Sequence, residues 1–322
     1  MGRYLLRRLG FAALLVLSVS SASLLLTRLA PGDIISEQAL VLDPAALAQL
    51  RTELGLDRPL VSQYATWLRG AVQLDFGRSL LYARPVNALI GERSLNTAVL
   101  ASVALVLASM IGLPLGVYSG SRSRGVGRSA VRLLSILALS VPPLIGSLAL
   151  VFLAARTGWL PVGGMTSAAG LTPTWGQWLG DLARHLPIPV LALALPLAAT
   201  LERLQSQAIE KAVREPFVAA SRARGLGHAQ AVVRHAWPVS LRSVLGLYGV
   251  MIGSLFSGSF VVEVVTSWPG LGRLMYDALK ARDLYLVAGC AASGAFFLAA
   301  GTWLADALLA IADPRVRSQE AP

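Results

Sequence analysis

Apolar and polar positions divide the chain into long apolar runs separated by polar segments rich in arginine. A helix needs about 20 mainly apolar residues to cross the hydrocarbon core of a bilayer. Six runs meet or approach that length: 9–27, 95–121, 133–155, 186–201, 243–262 and 284–312. The second carries no charge. The fourth is short but continues as a helical pattern. The fifth has only Glu263 at its outer end, and the sixth is broken only by Asp306. The first run follows Arg3, Arg7 and Arg8, as in a secretory signal, and "SVSSAS" from Ser18 has small-x-small spacing. Leu24, Leu25 and Leu26 extend the run well past a signal core of roughly 7–15 residues, so a retained helix is expected.

Between the first two runs, "DPAALAQLRTELGLDRPLVSQYATWLRGAVQLDFG" places Leu47, Leu50 and Leu54, then Val61, Tyr64, Trp67 and Leu68, at helical spacing. Asp43-Pro44 is a helix start and Gly55 a stop, which predicts short amphipathic helices on the outer face. Pro114, Pro142, Pro143 and Pro196 interrupt the apolar runs; membrane helices tolerate this where neighbours cover the freed carbonyls. Gly112 with Gly116, and Gly249 with Gly253, have the spacing of close helix contacts. The pattern as a whole predicts an all-α polytopic membrane protein.

Composition agrees. Of the 322 residues 55% are hydrophobic and only 14% charged, well under the roughly 25% of a soluble domain. Mean hydropathy is +0.63. The net charge of +11 fits nucleic acid or membrane, and its distribution decides between them. With the N-terminus inside and six alternating spans, the inner segments hold Arg3, Arg7, Arg8, Arg122, Arg124, Arg128, Arg132, Arg203, Lys211, Arg214, Arg222, Arg224, Arg234, Arg242, Arg315 and Arg317. Those are sixteen of the 28 basic residues, accompanied inside by six of the 17 acids, so nearly all the excess charge is internal. The positive-inside rule then gives N-in, C-in, and the charge faces anionic lipid rather than nucleic acid.

Enzymatic chemistry finds little support. Lys211 and Lys280 are the only lysines, and neither lies in a Gly-Lys-Ser/Thr phosphate loop. No His-Glu-x-x-His or Gly-x-Ser-x-Gly exists; His185 falls outside, and His228 and His235 are two helical turns apart. Cys290 stands alone in an apolar run and reads as a small buried residue. No catalytic residue, metal site or bound cofactor is expected. Glu202, Glu263 and Asp306 lie near membrane depth and, with Trp268, are pathway or gating candidates. Each acid lies close enough to a helix end to reach the interface instead, and such acids would also serve proton coupling.

One inner segment stands out: "EKAVREPFVAASRARGLGHAQAVVRHAWP", from Glu210 to Pro238. Its helical pattern runs to Arg224, Gly225-Leu226-Gly227 makes a turn, and a second helix is expected from near His228 to just before Pro238. Ala219, Ala220, Ser221 and Ala223 keep the first helix slim, as a knob seated in a partner's groove requires. Spacing alone fits a basic linker on the headgroups equally well.

Ala219-Ala220-Ser221, Gly225 and His235-Ala236-Trp237-Pro238 resemble the cytoplasmic signature of ABC importer permeases. Ala220, Gly225 and Pro238 match it, whereas Ala219 replaces its Glu, Ser221 its second Ala, His235 its Ile and Trp237 its Leu. The "RARGL" form resembles B-type permeases of the dipeptide, oligopeptide and nickel importers. "RYLLRRL", "RLAPGD", "LGLDRPLVSQYATWL", "LDFGRSL", "GWLPVGG", "VVEVVTSWPGLGRLMYDAL" and "ADPRVR" extend the resemblance along nearly the whole chain.

The resemblance implies a type I ABC importer permease fold: six transmembrane helices, N-in and C-in, with cytoplasmic coupling helices. Residues 1–94 would be the first helix and the outer segment, 95–312 a permease core of five helices with its coupling loop at about 210–238, and 313–322 a cytoplasmic tail. The chain would form half of a pathway for peptides or related small solutes in a bacterial or archaeal cytoplasmic (inner) membrane. Its implied partners are a second permease, expected as a distinct C-type chain; two ATP-binding-cassette ATPases holding the ATP and Mg; an extracytoplasmic solute-binding protein; and lipid. ATPase coupling would fall to Glu215, Ala219, Ala220, Ser221, Arg222, Ala223, Arg224, Gly225, Leu226, Gly227, His235 and Pro238. The competing reading is a secondary transporter driven by an ion gradient, which has no need of such a knob.

Overall fold

The structure, a computed structural model, describes residues 2–29, 59–167 and 174–312. The helix expected between Asp43 and Gly55, and the tail 313–322, lie outside the described residues. Among the described residues four helices are long and apolar enough to cross a membrane: α3 (Val86–Ser121), α7 (Pro187–Val213), α11 (Tyr248–Val265) and the 284–304 part of α13 (Leu284–Ala312). The first helix, α1 (Gly2–Leu29), contributes a shorter apolar stretch, Gly10–Leu26. α2 (Leu60–Val72) forms where the outer segment was expected to be helical.

The third run departs from expectation. Instead of one helix it is α4 (Val126–Ser140) and α5 (Pro143–Thr157), bent by 98°. The cause is the Pro142-Pro143 pair. The residue before a proline is driven out of the helical region, and here that condition applies twice in succession. Val141 (φ −92°, ψ 111°) and Pro142 (φ −59°, ψ 145°) are both extended, and Pro143 starts the next helix, where no N–H is missed. The single prolines 114 and 196 stay inside continuous helices.

The chain divides into two compact units. Unit 1 comprises Met1–Thr97 and Pro269–Phe297. Val86 and Leu89 of α3 pack there with Leu274 and Ala278 of α12 (Leu271–Lys280) and with Leu286, Val287 and Cys290 of α13. Asp283 fastens the outer loop of this unit. Its Oδ2 accepts from Ser79 Oγ at 2.7 Å and from the Leu80 and Leu81 amides at 2.7 and 3.0 Å; its Oδ1 accepts from the Leu286 amide at 3.2 Å. Asp283 thus caps α13 and holds a loop some 200 residues earlier in sequence.

Unit 2 comprises Ala98–Trp268 and Leu298–Pro322. Its core joins Leu100, Ala104 and Ala108 of α3 to Leu193, Leu197 and Leu201 of α7 and to Met251, Leu255 and Val262 of α11. Lipid is as apolar as leucine, so close packing rather than burial from water must hold such helices together. Glycine spacing achieves this on α3. A Cβ at Gly112 would lie 2.5 Å from the Ala198 carbonyl oxygen, one at Gly116 2.6 Å from Gln205 Cβ, and one at Gly120 2.3 Å from the Ser206 oxygen. The expected Gly112/Gly116 pair is therefore a flat seam against α7, one turn longer than the sequence suggested.

Candidate coupling site

The segment after α7 is built of short helices. α7 ends at Val213 and α8 (Pro216–Ala223) follows; a single helix through Arg224 is not formed. Pro216 explains the break. It forces Glu215 into extended backbone (φ −68°, ψ 142°) and then occupies the first turn of α8, where its missing N–H is harmless.

Two inward positions fix α8. Val218 and Ser221, one turn apart, are each 1% exposed, and Ser221 Oγ donates to the Val218 carbonyl at 2.7 Å. Val218 joins Ile209, Ala212, Ala231, Val232 and Ala236 in a small core of its own. Glu215, Ala219, Ala220, Arg222, Ala223 and Arg224 are exposed; of the four small residues expected to keep the helix slim, Ala219, Ala220 and Ala223 turn outward and Ser221 turns inward.

The turn after α8 is a Schellman motif. The Leu226 amide donates to the Ser221 carbonyl at 3.3 Å and the Gly225 amide to the Arg222 carbonyl at 2.9 Å. Gly225 has φ +96°, and a Cβ there would meet nothing within 4 Å. Backbone conformation, not crowding, demands this glycine. Leu226 folds back onto the small core, and Gly227 precedes α9 (His228–Ala231).

The second helix does not stop before Pro238. A five-residue π-turn, Val232–Ala236, leads straight into α10 (Trp237–Leu245). Pro238 sits in the first turn of α10, and the wider π-turn carries the chain past the ring. His235 lies half-buried in the π-turn. The fifth apolar run consequently begins inside α10 and breaks at Gly246-Leu247 before α11.

Polar links tie this element to its neighbours. His228 Nε2 lies 3.0 Å from the carbonyl of Ser121, the last residue of α3. Glu210 on α7 meets Arg214 at 2.9 Å, Arg128 at 3.5 Å and Arg132 at 4.0 Å. Sequence reading did not single out Glu210 as a hub, because its partners on α4 lie about 80 residues away. An open hollow of about 510 Å³ lies beside α8, lined in part by Lys211, Glu215, Phe217 and Ser243.

The pathway candidates are placed as follows. Glu202 is 1% exposed and accepts from Ser119 Oγ at 2.5 Å, while its Oε2 has no hydrogen-bond partner. Glu263 and Trp268 are fully buried in unit 2, where the Trp268 amide donates to the Glu263 carbonyl at 2.9 Å. Asp306 lies on α13, with its side chain outside the described residues. Among the described residues no group of three or more His, Cys, Asp or Glu could hold a metal ion.

Residues 112–318 match the family described as binding-protein-dependent transport system inner membrane component, and residues 1–94 match the N-terminal model of such membrane components. The chain is 31% identical over 322 residues to the oligopeptide transport system permease protein AppB of Bacillus subtilis, covering 98% of this chain and 99% of that one. It is 32% identical over 320 residues to a putative peptide permease protein of Brucella ovis, covering 98% and 99%. It is 33% identical over 318 residues to a putative peptide transport system permease protein of Brucella abortus, covering 97% and 98%. Among solved structures, a chain of the MetNI methionine ABC transporter in an inward-facing conformation superposes with a TM-score of 0.54 at 17% identity, covering 70% of this chain and 96% of that one. That likeness concerns the fold.

Proposed function

The chain belongs to the binding-protein-dependent transport system inner membrane component family, and from that premise we propose how it works. It is the permease subunit of an ABC importer, a multi-pass membrane protein. Peptides are the substrate class, following the names of its relatives. Six spans, with both termini on the cytoplasmic side, accommodate the apolar runs and the inward excess of arginine. The bent α4–α5 pair then counts as one span and α1 as another.

The observation that carries the coupling proposal is the orientation of α8. Its inner face is locked by Val218 and Ser221, while Ala219, Ala220 and Ala223 form an exposed alanine strip flanked by the exposed Arg222 and Arg224. A rigid, slim helix of this kind suits a groove on an ATPase subunit. Two ATPases would hydrolyse ATP with Mg, and this chain would bind neither. Closure of the ATPase pair would pull α8, and the pull would pass to α7 across the two-residue Arg214-Glu215 link, of which only Glu215 is extended, and to α3 through His228. A second permease would supply the other half of the pathway, and a solute-binding protein would deliver substrate outside.

The lost signature Glu at Ala219 does not move the docking site, because burial of Val218 and Ser221 alone sets which face is outward. Gly225→Val is the test. The chain is expected to insert and to co-purify with its partner permease, while uptake falls at least about ten-fold relative to ATP hydrolysis, because a β-branched residue cannot hold φ near +96°. Normal uptake by that variant would remove the docking role. Mass spectrometry of the complex purified gently from its host is expected to recover ATPase chains and a second permease. Recovery of this chain alone, even after cross-linking at Arg224, would favour a self-sufficient secondary carrier.

A further inference from the structure

A pocket of about 280 Å³ opens between α4 and α7, lined by Arg132 and Ile136 on one side and Glu202, Arg203, Ser206 and Gln207 on the other. Its position can be read from the helices. Arg203 lies ten residues before the end of α7, about 15 Å along the axis, and Arg132 six residues into α4, about 9 Å. Beyond both lies the band of Arg122, Arg124, Arg128 and Arg214. On the topology proposed above, on which this inference rests, the pocket sits where inner-leaflet headgroups meet acyl chains.

The charges are unequally committed. Arg132 is half exposed and reaches Glu210 only at 4.0 Å. Arg203 is exposed and has no carboxylate partner among the described residues. Glu202 is sealed at the back, 1% exposed and held by Ser119. Two arginines thus stand at the accessible part of the pocket, with Gln207 also exposed beside them. Next to it α4 shows Leu133, Leu134, Ile136 and Leu137, each more than half exposed, a surface suited to acyl chains. Arginine binds phosphate oxygens through a planar fork of donors, and basic pockets between membrane helices on the cytoplasmic side select anionic headgroups.

We propose that this pocket binds a phosphate-bearing anion, and that its occupant is the headgroup of an anionic phospholipid. The test uses the assembled transporter in nanodiscs of phosphatidylcholine with or without phosphatidylglycerol. Native mass spectrometry should find phosphatidylglycerol retained by the wild type. Its apparent affinity should fall roughly 25-fold in R132Q/R203Q, taking about five-fold for each arginine at the surface. R132K/R203K keeps the charge and should retain most of the binding, and R234Q, elsewhere on the inner side, should retain all of it. Unchanged retention in R132Q/R203Q would overturn the proposal. Equal thermal stabilisation by inorganic phosphate in pure phosphatidylcholine would assign the pocket to free phosphate and overturn the lipid occupant. If ATPase chains co-purify normally while lipid retention fails, the pocket reading falls and the importer reading stands. If the ATPases are lost while lipid is retained, the importer reading falls and the pocket reading stands.

Discussion

Asp283 in unit 1 and Glu202 in unit 2 are both sealed from solvent, but the donors around them differ. Asp283 accepts from one hydroxyl and three backbone amides, spread over both its oxygens. Glu202 accepts from Ser119 alone, and its second oxygen is unpartnered. Gln205, one turn along α7, repeats the imbalance: its amide donates to Ser240 at 2.8 Å while its own oxygen is left without a donor. A buried carboxylate surrounded by amides is a fastening. One with a bare oxygen is costly to keep, and buried polar groups in a membrane bundle that are not needed for packing point to function.

The largest expected effect is therefore at Asp283. Replacing it with Asn substitutes an NH2 group for one acceptor oxygen and sets it against donors of which Ser79 Oγ and the Leu286 amide are buried. A loss of about 3 kcal/mol is expected, from one to two unsatisfied buried groups. Thermal unfolding of the purified complex checks this, with protease sensitivity of the loop near Leu80 as a local readout. A loss under about 1 kcal/mol would mean that the loop is held by other contacts, and the contrast with Glu202 would collapse.

Ser119→Ala comes next. It leaves Glu202 with no donor at all, at a cost of about 1–3 kcal/mol measured in the same way. Glu202→Gln makes the same chemical change as Asp283→Asn and should behave oppositely. It preserves an acceptor for Ser119 and places an NH2 group where an oxygen now lacks a partner. Stability should stay within about 1 kcal/mol of wild type. If Glu202→Gln leaves stability intact but lowers uptake, Glu202 serves transport; if both are untouched, the pathway assignment for this residue fails.

The two carboxylates also differ in how legible they are in the sequence. Glu202 stands out because an acid within an apolar helical pattern is conspicuous. Asp283 does not, although Asp before an apolar run is a helix-start signal: its other three donors come from a loop about 200 residues away, and no local pattern encodes that pairing. The helices are legible for a related reason. Apolar runs and glycine spacing are local, and so are α3, α7 and the turn at Gly225. The bend at Pro142-Pro143, the break at Pro216 and the passage through Pro238 escape a sequence reading because each depends on which side of a proline the helix continues. The partner of the Gly112/Gly116 seam is not legible at all, since spacing marks a close approach without naming the helix that approaches.

The smallest effect concerns a carboxylate that is only partly buried. Asp181 on α6 (Trp175–His185) accepts from the Ser167 amide at 2.5 Å and the Ser167 hydroxyl at 2.8 Å. The Ser167 amide, then its hydroxyl, hold the Asp181 carboxyl below the ordinary carboxylate range, and the charge of nearby His185 adds to this. The sign follows from linkage. A depressed carboxyl contributes to the fold above its unfolded pKa, and the contribution disappears as the pH falls through the folded value. Asp181 is partly open to water and its partners are local, so only the local loop should respond. Hydrogen exchange at the Ser167 amide is expected to be slow near neutral pH, once corrected for the intrinsic rate. Its protection should fall on acidification below the ordinary carboxylate range, with the global unfolding temperature scarcely changed by this residue. Asp181→Asn should flatten that dependence. Protection that persists unchanged through the acid range would show that Ser167 is held by the backbone around it, as the turn at Gly225 is, and not by a carboxylate as Leu80 is by Asp283.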